Sequence, residues 1–284
     1  MFNIINVLLL IWFVPQIENI VKKMIKPKED EKEAEYSLEY FSTNIQPTPE
    51  ISILEAKKEV LSMSDTINDF LEKSKSIFIP NGFELDVFSP KHSDRESLVR
   101  ELSLEHSTYL VTHVARFHPK KDHKNFLVAA SIVLKARRDV RFLLAGKEVS
   151  DSNVSMFETV KELDLDHYVR LLGERTDIPR ILASSDLFVN SSAWGEGFPN
   201  AIGEAMASGV PCTVTKVGES ATIVGDTGWV VDPEEPGKLA SAILELLSMT
   251  QQEQSMLRLN ARKRIVNNYS IGSITQMYLD LYRS

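Results

Sequence analysis

Cysteine is nearly absent: Cys212 is the only one in 284 residues. A single thiol forms no intramolecular disulfide and no cysteine-based zinc site, which fits a reducing compartment. An excess of positive charge is absent too. Lys and Arg number 32 against 40 Asp and Glu, a net charge of −8. A net anion is drawn neither to nucleic acid nor broadly to an anionic membrane. Internal repeats and low-complexity tracts are missing. With 43% hydrophobic and 25% charged residues, the composition sits near the globular average and excludes wholesale disorder. No histidine and no glycine-rich loop precede His92 apart from the lone Gly82. At about 150 residues per domain, the length suits two domains or one large one.

Long apolar runs are confined to one stretch, MFNIINVLLLIWFVP at 1–15. As a helix it is about 20 Å long, short of the roughly 30 Å hydrocarbon core. It lacks the basic start and cleavage site of a signal peptide, and Pro15 interrupts it. Lys22, Lys23, Lys26 and Lys28 follow, a cluster suited to an anionic surface. The segment 1–26 reads as a buried element, a peripheral membrane contact through residues 1–28, or a span, and periodicity alone does not choose among them. Residues 27–53 are charged and Pro-containing, the composition of a linker.

The body alternates strand and helix. Apolar, β-branched runs recur at 77–80, 109–115, 140–146, 168–173, 186–190, 210–215 and 228–231. Helical stretches fall between them at 123–138, 154–164, 178–185, 199–208 and 236–248. Continuous apolar strands separated by helices predict an α/β fold, a Rossmann-like doubly wound parallel sheet. Such sheets bind ligands beyond the carboxyl ends of their strands, so chemistry is sought in the segments that follow each strand.

Those segments share a theme. Asn81-Gly82 is a turn able to take positive φ. After YLVTHVA come Arg116 and Lys121, two cations placed to bracket a diphosphate. Gly146 follows VRFLLA and leaves room for a ligand to approach the backbone. After DLFVN comes SSAWGEGFPNAIGEAMASG. There Glu196 lies between Gly195 and Gly197, and Pro199 opens a helix whose free amides favour phosphate. Glu204 stands on that helix among small residues, and a carboxylate accepts two hydrogen bonds from a vicinal diol. Trp194 and Phe198 either shape the pocket or pack the loop. His118 and His123 read as surface groups beside the cationic loop, and Cys212 as a buried strand residue. Asp164-Leu165-Asp166 matches a metal-binding Asp-x-Asp, but it precedes a strand and reads as a solvated turn at the opposite edge.

Asn81-Gly82 with Phe88-Ser89-Pro90, Arg116 to Lys121, and Glu196-x7-Glu204 within EGFPNAIGEAMASGVPCTVTKVG resemble the retaining glycosyltransferases of family 4. Those are two-Rossmann-domain (GT-B) enzymes that use nucleotide sugars to build polysaccharides and glycolipids. The resemblance runs from about residue 59 to the C-terminus. It implies that Glu196 contacts the donor hexose and Glu204 the ribose hydroxyls. Arg116 and Lys121 would hold the diphosphate, and Gly197, Phe198 and Pro199 would offer backbone contacts to the sugar. Arg175 would lie near the base. With two fixed cations on the leaving diphosphate, no metal and no other cofactor is expected. The resemblance further implies a cytoplasmic enzyme of polysaccharide or cell-envelope biosynthesis, at the inner face of the membrane if residues 1–28 touch it. Its substrates would be a nucleotide-sugar donor and a glycan or lipid-linked acceptor.

Residues 77–266 then form the donor domain and 267–284 a helix that crosses back. Residues 54–76, with EVLSMSDTINDFL at 59–71, resemble the close of an incomplete amino-terminal acceptor domain. A full acceptor domain needs about 150 residues, twice what precedes position 77. The expectation is hexosyl transfer. The alternatives are a non-catalytic nucleotide-sugar-binding module, the donor half of a split transferase completed by a second chain, or an inactive truncated product.

Overall fold

The computed structural model describes Lys58 and residues 79–283. The chain divides after Ser76, and all that follows concerns the second unit, Ile77–Ser284. The expected apolar segment 1–26, linker 27–53 and, apart from Lys58, acceptor remnant 54–76 lie outside the described residues, as do the first two positions of the strand expected at 77–80. The remaining two, Ile79 and Pro80, are not in a strand.

Six strands form one sheet: β1 (Tyr109–Val114), β2 (Val140–Ala145), β3 (Val169–Leu171), β4 (Leu187–Asn190), β5 (Cys212–Thr215) and β6 (Trp229–Val231). All pairings are parallel and the spatial order is β3-β2-β1-β4-β5-β6. This is the Rossmann order. β1 is zipped along its length to β2, from Tyr109 opposite Val140 to Val114 opposite Ala145. On its other side it meets β4 at Val111–Leu187 and Thr112–Phe188. The strands are apolar on both faces because both are covered; every residue of β4 and β5 is buried.

The helices between strands are α2 (His123–Ala136), α3 (Val154–Glu162), α4 (Ile178–Ala183), α5 (Asn200–Ala207), α6 (Ser220–Val224) and α7 (Pro236–Ser248). One core layer joins α2, α3 and α7 to the sheet through Phe126, Phe142, Leu187 and Ile243. A second sets Ile202, Met206 and Ile265 against Phe188 and Cys212. Cys212 is fully buried in β5, as expected.

Three helices flank this pattern. α1 (His92–Glu101) and α8 (Gln251–Tyr269) have no counterpart in the expected elements, and α9 (Ile271–Arg283) matches the expected terminal helix. Asp164 and Asp166 sit exposed on the turn before β3, at the amino edge of the sheet.

Candidate functional site

Between β1 and β4 the strand order reverses direction, and the loops that leave these two strands diverge to form a crevice. The β1 loop carries Arg116 to Lys121; the β4 loop carries Ser191 to Pro199. They are fastened together at backbone level. The Ala193 amide donates to the Lys120 carbonyl (2.8 Å). The Ser191 hydroxyl lies 2.9 Å from the Lys121 carbonyl and 3.0 Å from that of Asp122. His113 of β1 reaches the same hydroxyl through Nε2 (3.1 Å).

On this frame Lys121 and Glu196 form a direct ion pair between Nζ and Oε1. The Glu196 carboxylate is 7% exposed and also accepts from Ser192 Oγ at 2.5 Å. Burial pushes its carboxyl up. The Lys121 and Ser192 hydrogen bonds, helped by the charges of Lys121 and Lys120, outweigh burial and hold it below its ordinary value. Glu196 is therefore an anion at neutral pH, paired but reachable. Lys120 adds a second cation, its Nζ 3.4 Å from the Gly195 carbonyl. Arg116 is exposed and makes no ion pair or side-chain hydrogen bond among the described residues.

The turn 195–198 leaves its amides open. Among the described residues, those of Gly195, Glu196, Gly197 and Phe198 donate to no backbone carbonyl. Pro199 caps α5 without a side-chain hydrogen bond, so the positive amino end of that helix is unshielded. The turn leans on the loop after β5, where the Glu219 amide donates to the Gly197 carbonyl (2.9 Å). Gly218 makes that approach feasible: its φ is 54°, and a Cβ there would lie 2.4 Å from the Glu196 carbonyl oxygen.

Glu204 lies one turn after Asn200 on α5 and faces a cavity of about 320 Å³ shared with Asn81, Gly82, Phe83, Phe88 and Asn200. Asn81 donates to the Asn200 side chain at 2.8 Å. The Glu204 side chain has no hydrogen-bond partner among the described residues, and burial raises its carboxyl. The two carboxylates of the Glu-x7-Glu pattern thus differ: one is held charged by a lysine, the other is partly desolvated and opens on the cavity without a protein partner.

Other expectations meet the geometry unevenly. A Cβ on Gly146 (φ 152°) would lie 2.1 Å from the Ala115 carbonyl oxygen. The end of β1 by itself requires glycine there. Arg175 stands apart in its own cluster. Its Nε and Nη2 bond Asp177 (2.7 and 2.9 Å) and its Nη1 bonds Glu101 (2.9 Å), which engages all three guanidinium nitrogens. Arg175 in turn holds Asp177 far below the usual carboxylate range. Phe198 turns inward, 6.1 Å from Phe83 and 5.9 Å from Tyr269 between ring centroids, while Trp194 is 54% exposed. So Phe198 packs the loop. His118 is on the surface, its Nδ1 accepting from the Lys120 amide. His123 is not: it is 4% exposed and packed against His113 with the rings tilted by 57°, and burial lowers its pKa to about 4. The expectation of a surface group fails there because α2 turns its first residue toward β1.

Sequence reasoning missed Ser191, Ser192 and Gly218. Their position just beyond strands β4 and β5 is the one signal that pointed to them.

The family model for group 1 glycosyl transferases matches residues 108–249, half of the chain. The chain belongs to the group 1 glycosyl transferases. It is 28% identical over 218 residues to the UDP-Gal:alpha-D-GlcNAc-diphosphoundecaprenol alpha-1,3-galactosyltransferase of Escherichia coli, an alignment covering 75% of this chain and 55% of that enzyme. HepE of Anabaena in complex with UDP and glucose superposes with a TM-score of 0.64 at 25% identity, over 72% of this chain and 56% of that one. The C-terminal domain of the group 1 protein LpcC from Francisella tularensis superposes with a TM-score of 0.58 at 25% identity. That match takes in 67% of this chain and all of the LpcC domain. The described unit is thus a GT-B-type Rossmann-like domain, and the chain spans a little over half the length of the galactosyltransferase and of HepE.

Proposed function

We propose that the chain is a retaining hexosyltransferase of the family 4 type, taking its sugar from a nucleoside diphosphate and passing it to a glycan or lipid-linked acceptor. The observation that carries this is the Lys121–Glu196 pair at the reversal point, with an unpaired Arg116 on the same loop and open amides opposite. The name of the Escherichia coli relative, with its UDP-galactose donor and diphosphoundecaprenol acceptor, and the UDP held by HepE support a UDP-sugar and a lipid-linked acceptor. A transferase of that kind works in cell-envelope or polysaccharide synthesis, at the cytoplasmic side where its donor is made.

Cleaving a glycosyl phosphate leaves negative charge on the departing diphosphate and positive charge at the sugar carbon. Arg116, Lys121 and the amino end of α5 meet the first charge, as donors fixed in advance do most cheaply. No metal is needed for that step. Glu196, held ionised, accepts from the hexose hydroxyls while its lysine turns part of its charge to phosphate. Glu204, partly buried at the cavity and without a protein partner, exchanges water for two hydrogen bonds from the ribose diol. The open amides at 195–198 and the start of α5 complete the cradle. Arg175, anchored by Asp177 and Glu101, keeps two of its five N–H donors for the base.

Calorimetric titration with UDP- and GDP-sugars tests this. Binding is expected in the presence of EDTA, weakened about 10- to 100-fold by Arg116→Ala and by Glu204→Ala, which each remove a charged hydrogen bond worth about 1.5–3 kcal/mol. No binding of any nucleotide by the unsubstituted chain, or binding by both variants as tight as the parent's, would refute it.

A further inference from the structure

At the other end of the sheet lies the largest cavity among those described, about 460 Å³, a size typical of small-molecule pockets. It opens between the start of α1, the chain entering β4 and β5, and one side of α8. Four cations line it, Lys91, Arg95, Arg258 and Arg262, against one carboxylate, Asp186. That carboxylate is shared: Oδ2 bonds Arg95 Nη1 (3.0 Å) and Oδ1 bonds Arg258 Nη2 (2.7 Å). Arg262 finds only carbonyls, those of Phe88 (3.0 Å), Leu85 (3.5 Å) and Ala207, and Lys91 has no side-chain partner among the described residues.

Arg258 and Arg262 are one turn apart on α8, where like charges repel. The carboxyl ends of α4 and α5 face the arginines through the Ser184, Ser185 and Ala207 carbonyls. Two helix termini of about half a charge each still leave an excess of about two positive charges, on a chain whose net charge is −8. Burial, reinforced by Arg95, lowers the Arg258 pKa despite Asp186. Nε and Nη1 of Arg258 carry no hydrogen bond, yet they are not sealed in the interior. Leu259, 59% exposed, adds an apolar wall beside these donors.

We propose that this pocket is a second anion site, separate from the site between β1 and β4, for a small organic molecule bearing a phosphate group. The free guanidinium edge of Arg258 and the Lys91 ammonium bind the phosphate oxygens. Leu259 and Pro90 shelter the organic body.

Inorganic phosphate and phenyl phosphate, titrated calorimetrically into the full chain, test it. Both are expected to bind this pocket, phenyl phosphate more tightly by about threefold or more from burial of its ring. Ser255→Glu, which places a carboxylate in the pocket from the exposed side of α8, is expected to weaken both by about tenfold or more. Lys91→Glu, at an exposed position before α1, is expected to do the same. The double variant Arg116→Ala/Lys121→Ala, which empties the other loop of cations, is expected to keep both. The proposal is overturned if phosphate shows no saturable binding up to about 10 mM, if both pocket variants bind like the parent, or if the double variant abolishes binding.

Discussion

Lys121 and Glu196 are 75 positions apart in sequence and in direct contact in the fold. At this scale the site was legible wherever a charged residue followed a strand, because the sheet's architecture alone sends such residues to one edge. It was not legible where the determinant is a small hydroxyl: Ser192 looks like any loop serine until its Oγ is seen on the Glu196 carboxylate. The failure at His123 has the same origin, since packing against His113 leaves no mark on the local pattern. Under the proposed function, Lys121→Ala removes the cation shared between Glu196 and the leaving diphosphate. Steady-state kinetics should show kcat reduced about 10²- to 10³-fold, the usual cost of losing one preorganised charge donor. Glu204→Gln separates stability from binding. Burial raises the native carboxyl above 4.5, so in the window above that value the native state holds more protons than the unfolded chain. Stability therefore falls as pH rises through the window and stays lower beyond it. The glutamine variant should melt higher than the parent at pH 7 and equally below about pH 4, while binding nucleotide sugar more weakly.

Among the elements, β1 to β6 and the interleaved helices other than the short α6 were readable to within a few residues because each buries a continuous apolar run or a regular stripe. α8 was not. Its nineteen residues, QQEQSMLRLNARKRIVNNY, bury only Ala261, Ile265 and Tyr269, too few to set a visible period. A signal was nevertheless present at its start. Thr250 and Glu253 form a capping box, each side chain bonding the other's backbone amide. α1 is concealed similarly by HSDRESLVRE, with Leu98 and Val99 its deeply buried apolar residues. The loop after β5 supports the turn that holds Glu196 through the Glu219 amide on the Gly197 carbonyl. Gly218→Ala puts a methyl group against the Glu196 carbonyl at a positive φ. Urea denaturation should report a loss of about 1–3 kcal/mol, and nucleotide affinity should fall with it because the 195–198 turn must shift.

For the whole molecule, the doubly wound sheet was expected from alternation, and its strand order explains why two loops far apart in sequence meet. A ligand that binds only the folded chain stabilises it by mass action. UDP at about one hundred times its dissociation constant adds about 2.7 kcal/mol. In a thermal melt that is a rise of about 5–10 °C for a domain of this size, which Arg116→Ala should reduce. The β1–β4 pairing has a further consequence, in the order of events during folding. β1 meets β2 across about thirty residues, whereas it meets β4 across more than seventy, and the more distant closure carries the larger entropic cost. A chain that has assembled only β1, β2 and β3 owns Lys121 without Glu196 and a crevice with one wall. Capacity to hold a donor thus arrives with the last long-range pairing rather than the first, and recovery of UDP binding during refolding marks the moment at which the two halves of the sheet join.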